Sequence, residues 1–312
     1  MNIKSLTDPF SAVLYSCGIS SFLFGRKSKH IYVLCYHKIR ARIFQKHLGL
    51  LEKYLDLISL EEFENIMSEH KELNSNVGLL TFDDGYASFY TEIYPVLRQR
   101  RRSALVFLVT DFVDTQDLLW HDALRIATLN NRSSSINLNG DVYSLGDDSY
   151  KSYVSLNRQI KLLPEEKRRE VIKDLREIVK GCEYDDSEFR LLGWKQIMEM
   201  ADNGIDFGSH TRTHPILSTV SIEQATDEIK GSKKTLEDRL NRRVSALAYP
   251  SGKPHEINDA VVDITRESGF SFAFTTVNGT VAPTDNPLRL KRVLFFDSQK
   301  APTVSLKMLL AN

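Results

Sequence analysis

The chain has 312 residues, of which 42% are hydrophobic and 26% charged, and its 41 Lys and Arg residues balance 41 Asp and Glu residues. This composition is typical of one large globular domain, or of one domain that carries an insertion. Because the charges balance, the chain has no net field that would recruit a polyanion, and we predict no nucleic-acid partner. The three cysteines show neither metal-ligand nor redox spacing, so we expect reduced thiols and a cytoplasmic location.

The N-terminal region contains an apolar stretch, residues 10–24, that is followed by several basic residues. The stretch is shorter than the about 20 residues that a membrane-spanning helix needs. A secretory signal would carry its positive charges before the apolar region and small residues after it. Here the only early positive side chain is Lys4, and basic residues follow the apolar stretch instead. We therefore expect residues 1–30 to form a helix packed on the domain of residues 31–312, with membrane-surface contact as the minor alternative.

The first part of this domain alternates apolar runs with helical patterns. Residues 31–36 form a continuous β-branched and aromatic run, typical of a strand buried on both faces. Ser59, with Glu62 three residues later, is a capping-box pattern that begins a helix. The predicted strands are 31–36, 79–82 and 104–109, and the predicted helices are 44–56, 60–69 and 88–99, the last with an irregularity at Pro95.

The last part continues this alternation, with Gly204 and Gly269 each ending a helical pattern. The predicted helices are 194–202, 222–240 and 257–268, and the predicted strands are 205–208, 244–249, 270–275 and 288–295. Strand–helix–strand repeats favour parallel pairing with right-handed crossovers. The fold class is therefore predicted as α/β, with about seven strands, which is close to the number in a barrel.

The alternation breaks between about residues 112 and 190. This segment has a polar, turn-rich middle at 130–152, followed by a charged helix at about 164–180. We interpret it as an insertion near the mouth of the site that contacts substrate, rather than as a separate domain.

Two polar segments follow predicted strands. Asp83 and Asp84 come after an apolar run, and His210 and His214 lie four residues apart after another. Taken singly, the first pattern is typical of a turn and the second of a solvated helix face. Together, one Asp and two His supply the three ligands of a catalytic metal site with one open position, and the other Asp is free to act as a base. Zinc suits this ligand set, although cobalt, nickel and manganese also accept it.

Three segments resemble the motifs of a known family: Thr-Phe-Asp-Asp-Gly at 81–85, Ser-His-Thr-x-x-His at 209–214, and Ala-Tyr-Pro-Ser-Gly at 248–252. These are similar to the first three motifs of the polysaccharide deacetylases, carbohydrate esterase family 4, also called the NodB-homology domain. The resemblance implies a distorted (β/α) barrel that uses a divalent metal to remove N- or O-acetyl groups from sugars. It assigns Asp84, His210 and His214 to the metal, and Asp83 to the general base.

Two departures from the family pattern concern the acid and the residue that orients the base. Many members take the acid from a late Leu-x-His motif, but no His follows His255. A variant group that includes the poly-N-acetylglucosamine deacetylases uses a Tyr-His at the end of the first strand, which implies His37 as the acid here. Many members also carry an Arg in the third motif, where this chain has Ala248. Arg292 on the last predicted strand is the candidate substitute, with a surface or substrate-contacting role as the alternative.

Candidate substrate contacts lie on the third motif and in the insertion. The turn Tyr249-Pro250-Ser251 is expected to line the sugar groove, with a backbone N–H near Ser251 facing the oxyanion. Trp120 begins a Trp-His-Asp cluster that we expect to be an ordinary helix start. The alternatives are that the cluster stacks on a sugar ring, or that it supplies the acid if His37 does not. Arg292 completes the candidate substrate-binding set.

The favoured function is a metal-dependent N-deacetylase acting on an N-acetylhexosamine of a glycan, oligosaccharide or lipid-linked sugar. An O-acetyl carbohydrate esterase and a non-catalytic carbohydrate-binding relative are the alternatives. The absence of the third-motif Arg and of the late Leu-x-His motif motivates the binding-relative alternative. The presence of all three candidate ligands and the candidate base argues against it.

Overall fold

Parallel strands and the helices that cover them make up the computed structural model, which describes residues 29–311 of the chain. The strands are β1 (Ile31–Tyr36), β2 (Asp56–Ile58), β3 (Val77–Phe82), β4 (Ala104–Leu108), β5 (Ser135–Leu138), β6 (Asp141–Ser144), β7 (Ile205–Ser209), β8 (Ala246–Ala248), β9 (Phe272–Phe274) and β10 (Val293–Leu294). The α-helices are α1 (Ala41–Leu51), α2 (Leu60–Ser68), α3 (Tyr94–Arg100), α4 (Trp120–Asn130), α5 (Ser149–Lys161), α6 (Glu165–Lys180), α7 (Trp194–Ala201), α8 (Ile222–Leu240), α9 (Asp259–Glu267) and α10 (Ala301–Leu310).

The main sheet runs in the order β10-β1-β3-β4-β7-β8-β9, and β2 pairs with β3 outside this path. Every pairing in this sheet of the described chain is parallel. All residues of β1 and β3 are buried, as expected for strands covered on both faces. The α/β prediction with about seven strands is therefore confirmed.

The segment after α9 closes the sheet into a distorted barrel. Leu290 forms a parallel bridge with Phe274 of β9, and Val293 then pairs with Leu34 of β1. The predicted strand 288–295 is thus divided between the two edges of the sheet. This division places Arg292 between the two edges, where it is fully buried.

The first helix of the domain and the strand that follows it also differ from the prediction. The predicted helix 44–56 begins and ends earlier, as α1, and residues 56–58 form β2 because they pair with Val77–Leu79. The irregularity expected at Pro95 is present, because a π-helical turn at Phe89–Ile93 precedes α3, which has Pro95 in its first turn.

The insertion contains more structure than its polar sequence indicates. The stretch 130–152 was predicted to be turn-rich, but it holds the antiparallel hairpin of β5 and β6 and the start of α5. Helices α4, α5 and α6 bury a hydrophobic cluster of their own, centred on Leu124, Leu156 and Leu175. The end of the insertion returns to the barrel, where Leu191 bridges Tyr86.

The predicted helix in residues 1–30 falls almost entirely outside the described residues. Within residues 29–311, no helix is both long enough and apolar enough to cross a membrane.

Candidate active site

Polar side chains follow three strands of the main sheet where those strands end. His37 follows β1, Asp83 and Asp84 follow β3, and His210 follows β7. The register of β1 and β3 pairs Tyr36 with Phe82, so His37 and Asp83 are the next residues on adjacent strands. Because the strands are parallel, their carboxyl ends meet at one edge, which is where sites form in such folds.

Asp84, His210 and His214 converge at this edge. Oδ1 of Asp84 lies 3.5 Å from Nε2 of His210 and 3.5 Å from Nε2 of His214. All three side chains are buried, and Oδ1 of Asp84 has no hydrogen-bond partner within the described residues. One candidate ligand atom from each residue lies within 4.8 Å of the others.

The tautomer of His210 shows that this cluster fits a cation. Its Nδ1 lies 2.7 Å from the carbonyl oxygen of Ala248, which can only accept, so Nδ1 carries the proton. Nε2 of His210 then points a lone pair at the unpaired oxygen of Asp84 when the ring is neutral. Two acceptors facing each other in a buried site are stabilised by a positive ion between them, and N and O atoms of this kind are ligands for zinc and related divalent metals.

The ionisation of the cluster favours the same interpretation. Burial lowers the pKa of His210 and of His214 below the usual imidazole value, so both rings are neutral at pH 7. Burial acts to raise the pKa of Asp84, but the surrounding imidazoles, led by His37, outweigh it and hold this pKa well below its usual range. A carboxylate with two neutral imidazoles is the protonation state that binds a metal.

The backbone at two of these residues is in the left-handed region, with φ of 72° at Asp84 and 62° at His214. Non-glycine residues rarely adopt this conformation, and strained backbone of this kind clusters at functional sites. Gly85 follows with φ of 72°, and a Cβ there would lie 2.7 Å from Cδ2 of Leu108, so the turn requires glycine. The buried carboxylate of Glu228 accepts the backbone N–H of Thr213 at 2.8 Å and thereby holds the histidine loop.

Asp83 lies beside this cluster and is bound by Arg292. Nη1 and Nη2 of Arg292 each donate to a different oxygen of Asp83 at 2.7 Å, and neither side chain is more than 2% exposed. The thiol of Cys35 lies 3.6 Å from Oδ2 of Asp83. Burial acts to raise the pKa of Asp83, but Arg292, followed by His210 and His37, lowers it to about 2. Asp83 is therefore ionised and held in one orientation.

This placement of Arg292 fits the predicted role of orienting Asp83 in place of the family's third-motif Arg. Its guanidinium also donates from Nε to the carbonyl of Thr275 at 2.8 Å, and the side chain has no exposed surface. Direct contact with substrate, the other role considered from the sequence, does not fit a fully buried side chain.

His37 lies on the solvent-exposed side of the site. Its Nε2 lies 3.9 Å from Oδ2 of Asp83, and 39% of its side chain is exposed, so a ligand can reach the ring. Cys35, His37 and Asp83 also come close enough together to suggest a second metal site. We reject it, because Arg292 occupies both oxygens of Asp83, and burial raises the pKa of the Cys35 thiol, which stays protonated.

The third-motif turn does not present its aromatic ring to the groove. Tyr249 is 1% exposed, and its hydroxyl donates to the carbonyl of Leu288 at 3.0 Å inside the core. Pro250 is also buried. The predicted contacts of Tyr249 and Pro250 with substrate are therefore not supported by their placement. Ser251 is partly exposed and has φ of 62°, so it remains the candidate contact on this turn.

Lys161, the last residue of α5, reaches this turn from the insertion. Its Nζ donates to Oγ of Ser251 at 2.7 Å, and that hydroxyl lies 3.1 Å from Oε1 of Glu256. Burial lowers the pKa of Lys161, and the charge of Glu256 acts against this change. Lys161 therefore joins the insertion to the third motif. Nothing in the sequence distinguishes it from the other lysines of the charged insertion.

The Trp-His-Asp cluster starts a helix and also reaches the site. Nε2 of His121 lies 3.9 Å from Oδ2 of Asp84 and 3.1 Å from the hydroxyl of Tyr86. That hydroxyl donates to Oδ2 of Asp122 at 2.7 Å, and Lys38 donates to Oδ1 of Asp122 at 3.2 Å. This network was missed from the sequence, although Tyr86 directly follows the Asp-Asp-Gly turn.

Trp120, Trp194 and His255 have three different surroundings. Trp120 is 7% exposed and packs in the insertion's hydrophobic cluster, with one side lining a cleft next to His214. Trp194 packs against the barrel core, with the guanidinium of Arg239 5.2 Å from its ring centroid. The side chain of His255 is 68% exposed and lies next to Glu256.

The chain matches the model of one protein family. The polysaccharide deacetylase model covers residues 70–273, which include the Asp-Asp-Gly turn, the histidine loop and the third motif. His37 and Arg292 lie outside the matched residues. YxkH of Bacillus subtilis, which carries the same family description, is 20% identical over 283 residues, 88% of this chain and 74% of that protein.

Solved structures share the fold. The Streptococcus pyogenes deacetylase PplD has a TM-score of 0.60 and 21% identity, covering 91% of this chain and 99% of its own. IcaB from Ammonifex degensii has a TM-score of 0.60 and 20% identity, covering 90% and 97%. A de-N-acetylase from Aggregatibacter actinomycetemcomitans has a TM-score of 0.58 and 15% identity, covering 90% and 100%. The fold agrees with the family match, and the chain belongs to the polysaccharide deacetylase family.

Proposed function

We propose that the protein is a metal-dependent N-deacetylase that hydrolyses the acetamide of an N-acetylhexosamine in a glycan, oligosaccharide or lipid-linked sugar. The observation that carries this proposal is the unpaired, buried Oδ1 of Asp84 facing two imidazole nitrogens, with the oriented carboxylate of Asp83 beside them. A binding module has no use for an ionised base fixed next to a cation site.

Asp84, His210 and His214 would hold the divalent cation, most readily zinc, with cobalt, nickel or manganese as alternatives. When bound, it would acidify the attacking water and polarise the acetyl carbonyl. The carbonyl of Ala248 keeps the proton on Nδ1 of His210, and so keeps Nε2 free to bind the ion.

Asp83 is the proposed general base. Its carboxylate is ionised at neutral pH because the pKa is held at about 2, and the two bonds from Arg292 prevent it from rotating. It would take the proton from the water as the water attacks the acetyl carbon. Arg292 acts through Asp83 and is a positioning residue.

The turn after β8 offers one amide to the developing oxyanion. The N–H of Gly252 bonds to the carbonyl of Pro250 at 2.7 Å, and the N–H of Lys253 bonds to Glu256 at 2.9 Å. The N–H of Ser251 remains as the proposed donor to the oxyanion.

His37 is the proposed general acid. Expulsion of an amine requires that its nitrogen be protonated, and His37 is the exposed imidazole next to the base. A positioned acid of this kind supports amide over ester hydrolysis, because an alcohol leaving group depends less on protonation. The de-N-acetylase among the structural neighbours agrees with this choice.

The test is acetate release from N-acetylglucosamine oligomers and from O-acetylated xylan by chelated protein and by the same protein reloaded with zinc. We expect acetate from the N-acetyl substrates after reloading, and a loss of at least about a hundredfold on chelation. Acetate from xylan alone would refute the N-deacetylase assignment. Full activity in the chelated protein would refute the role of the metal.

A further inference from the structure

The loop of residues 37–40 connects β1 to α1 and carries the proposed acid, His37. Within residues 29–311, the ring of His37 makes no hydrogen bond, and its polar contact is the 3.9 Å approach of Nε2 to Oδ2 of Asp83. Because the ring is also partly exposed, side-chain packing holds it on one side only. The position of this imidazole therefore depends on what holds the loop.

Lys38, the next residue of this loop, is held by a carboxylate and two aromatic rings. Its Nζ donates to Oδ1 of Asp122 at 3.2 Å. The same ammonium lies 4.0 Å from the ring centroid of Tyr86 and 4.2 Å from that of Phe189, which are attractive distances for a cation above an aromatic face. Asp122, Tyr86 and Phe189 are all buried, so these contacts are shielded from water.

This contact joins the insertion to the barrel. Lys38 and Tyr86 follow the barrel strands β1 and β3, whereas Asp122 lies in the first turn of α4 and Phe189 near the end of the insertion. The other carboxylate oxygen of Asp122 accepts from the hydroxyl of Tyr86 at 2.7 Å, and Phe189 packs in the insertion's own hydrophobic cluster. The Lys38 contact is therefore complete only when the insertion has folded onto the barrel.

Arg40 holds the other end of the loop in a different way. Its Nε donates to Oδ2 of Asp297 at 2.9 Å, and its backbone N–H donates to Oδ1 at 3.1 Å. The side chain of Arg40 is 70% exposed, so water competes for this ion pair, and the backbone bond does not need the side chain. Arg40 is thus a matched comparison for Lys38, on the same loop but without a contact to the insertion.

We propose that Lys38 is a positioning residue through which the insertion fixes the general acid, His37, beside Asp83. The inference rests on the proposed function, because it takes His37 as the acid. Lys38 acts through the backbone of the adjacent residue and does not touch the reacting atoms. A displaced acid slows the expulsion of the amine and leaves substrate binding unchanged, and a shift of about 1 Å can cost up to about a hundredfold in rate.

The experiment measures kcat and KM of zinc-loaded protein for two substrates: the N-acetylglucosamine oligomer that releases most acetate, and 4-nitrophenyl acetate, whose leaving group departs without a proton. Lys38→Met should lower kcat for the oligomer by about tenfold or more, with KM and the rate on the ester changed by less than about twofold. Lys38→Arg keeps a cation for Asp122 and for both rings and should recover most of the loss.

Asp122→Asn perturbs the same contact from the side of the insertion and should repeat the loss on the oligomer. Arg40→Ala is the matched control and should keep both rates. In the His37→Ala background the acid is absent, so adding Lys38→Met should change kcat for the oligomer by less than about twofold. A further tenfold loss in that background, an equal loss on the ester, or an equal loss in Arg40→Ala would overturn the inference.

A measurement without substrate keeps this inference apart from the proposed function. In protein labelled with ¹³C at Cε1 of histidine, the NMR resonance that is absent from His37→Ala belongs to His37. Asp122→Asn, which is far from His37 in sequence, should shift or broaden this resonance, and Arg40→Ala should not. If no N-acetyl substrate releases acetate but the resonance responds in this way, the proposed function fails and the positioning of His37 stands. An unchanged resonance in Asp122→Asn overturns the inference even if acetate is released.

Discussion

Replacing Arg292 by Met tests the buried pair with Asp83. Both side chains are at most 2% exposed and share two bonds of 2.7 Å. The pKa of Asp83 falls from 3.8 to about 2 on folding, which at about 1.4 kcal/mol per pKa unit corresponds to about 2.5 kcal/mol. Since the folded value is the lower one, this stabilisation is complete above the unfolded pKa and is lost only as the pH falls towards 2.

At pH 7, Arg292→Met leaves a buried carboxylate unpaired, and we expect the free energy of unfolding to fall by about 3 kcal/mol. Asp83→Asn leaves a buried guanidinium unpaired and should cost a similar amount. The double variant removes both charges, so its loss should be smaller than the sum of the single losses by about 2 kcal/mol. Urea unfolding with an unchanged slope measures all three values. Additive losses within about 0.5 kcal/mol would refute the assigned pair.

Three further outcomes follow from the site. His37→Ala should lower kcat for acetate release by about a hundredfold or more with KM little changed, and an unchanged kcat would move the acid role elsewhere. Lys161→Met should raise KM by about tenfold, because the bond to Ser251 that holds the third-motif turn is lost. Lys161→Arg should recover part of the loss. A change confined to kcat would contradict this positioning role. Tyr86→Phe should lower the free energy of unfolding by about 1–3 kcal/mol, because the buried carboxylate of Asp122 loses a donor; an unchanged urea midpoint would show that the network adds no stability.

The barrel could be predicted from the sequence because several of its strands are short apolar runs bounded by polar residues. The run 31–36 is buried throughout, and the same type of pattern marks β3 and β4. Elements that form only through pairing with another strand could not be predicted from the local sequence pattern. β2 is a strand because of its pairing with β3, and the 288–295 segment divides between two edges only when the sheet closes.

Part of the candidate site could be predicted from the sequence because its residues are adjacent to strand ends. Asp84 and His210 each follow a strand, and parallel strands bring their ends together. Arg292 was a candidate partner of Asp83 from the sequence, but the structure was needed to decide between this pairing and a surface position, because the two residues meet only after barrel closure. Lys161 comes from an insertion whose placement no local pattern specifies.

Metal content measured by mass spectrometry tests the central claim most directly. Purified wild-type protein loaded with zinc and then dialysed should retain one ion per chain, and Asp83→Asn should retain nearly as much, because Asp83 is bound by Arg292. His210→Ala should lose the ion, since one of three ligand atoms is removed. Absence of zinc from the wild-type protein, or full retention in His210→Ala, would contradict a metal held by Asp84, His210 and His214.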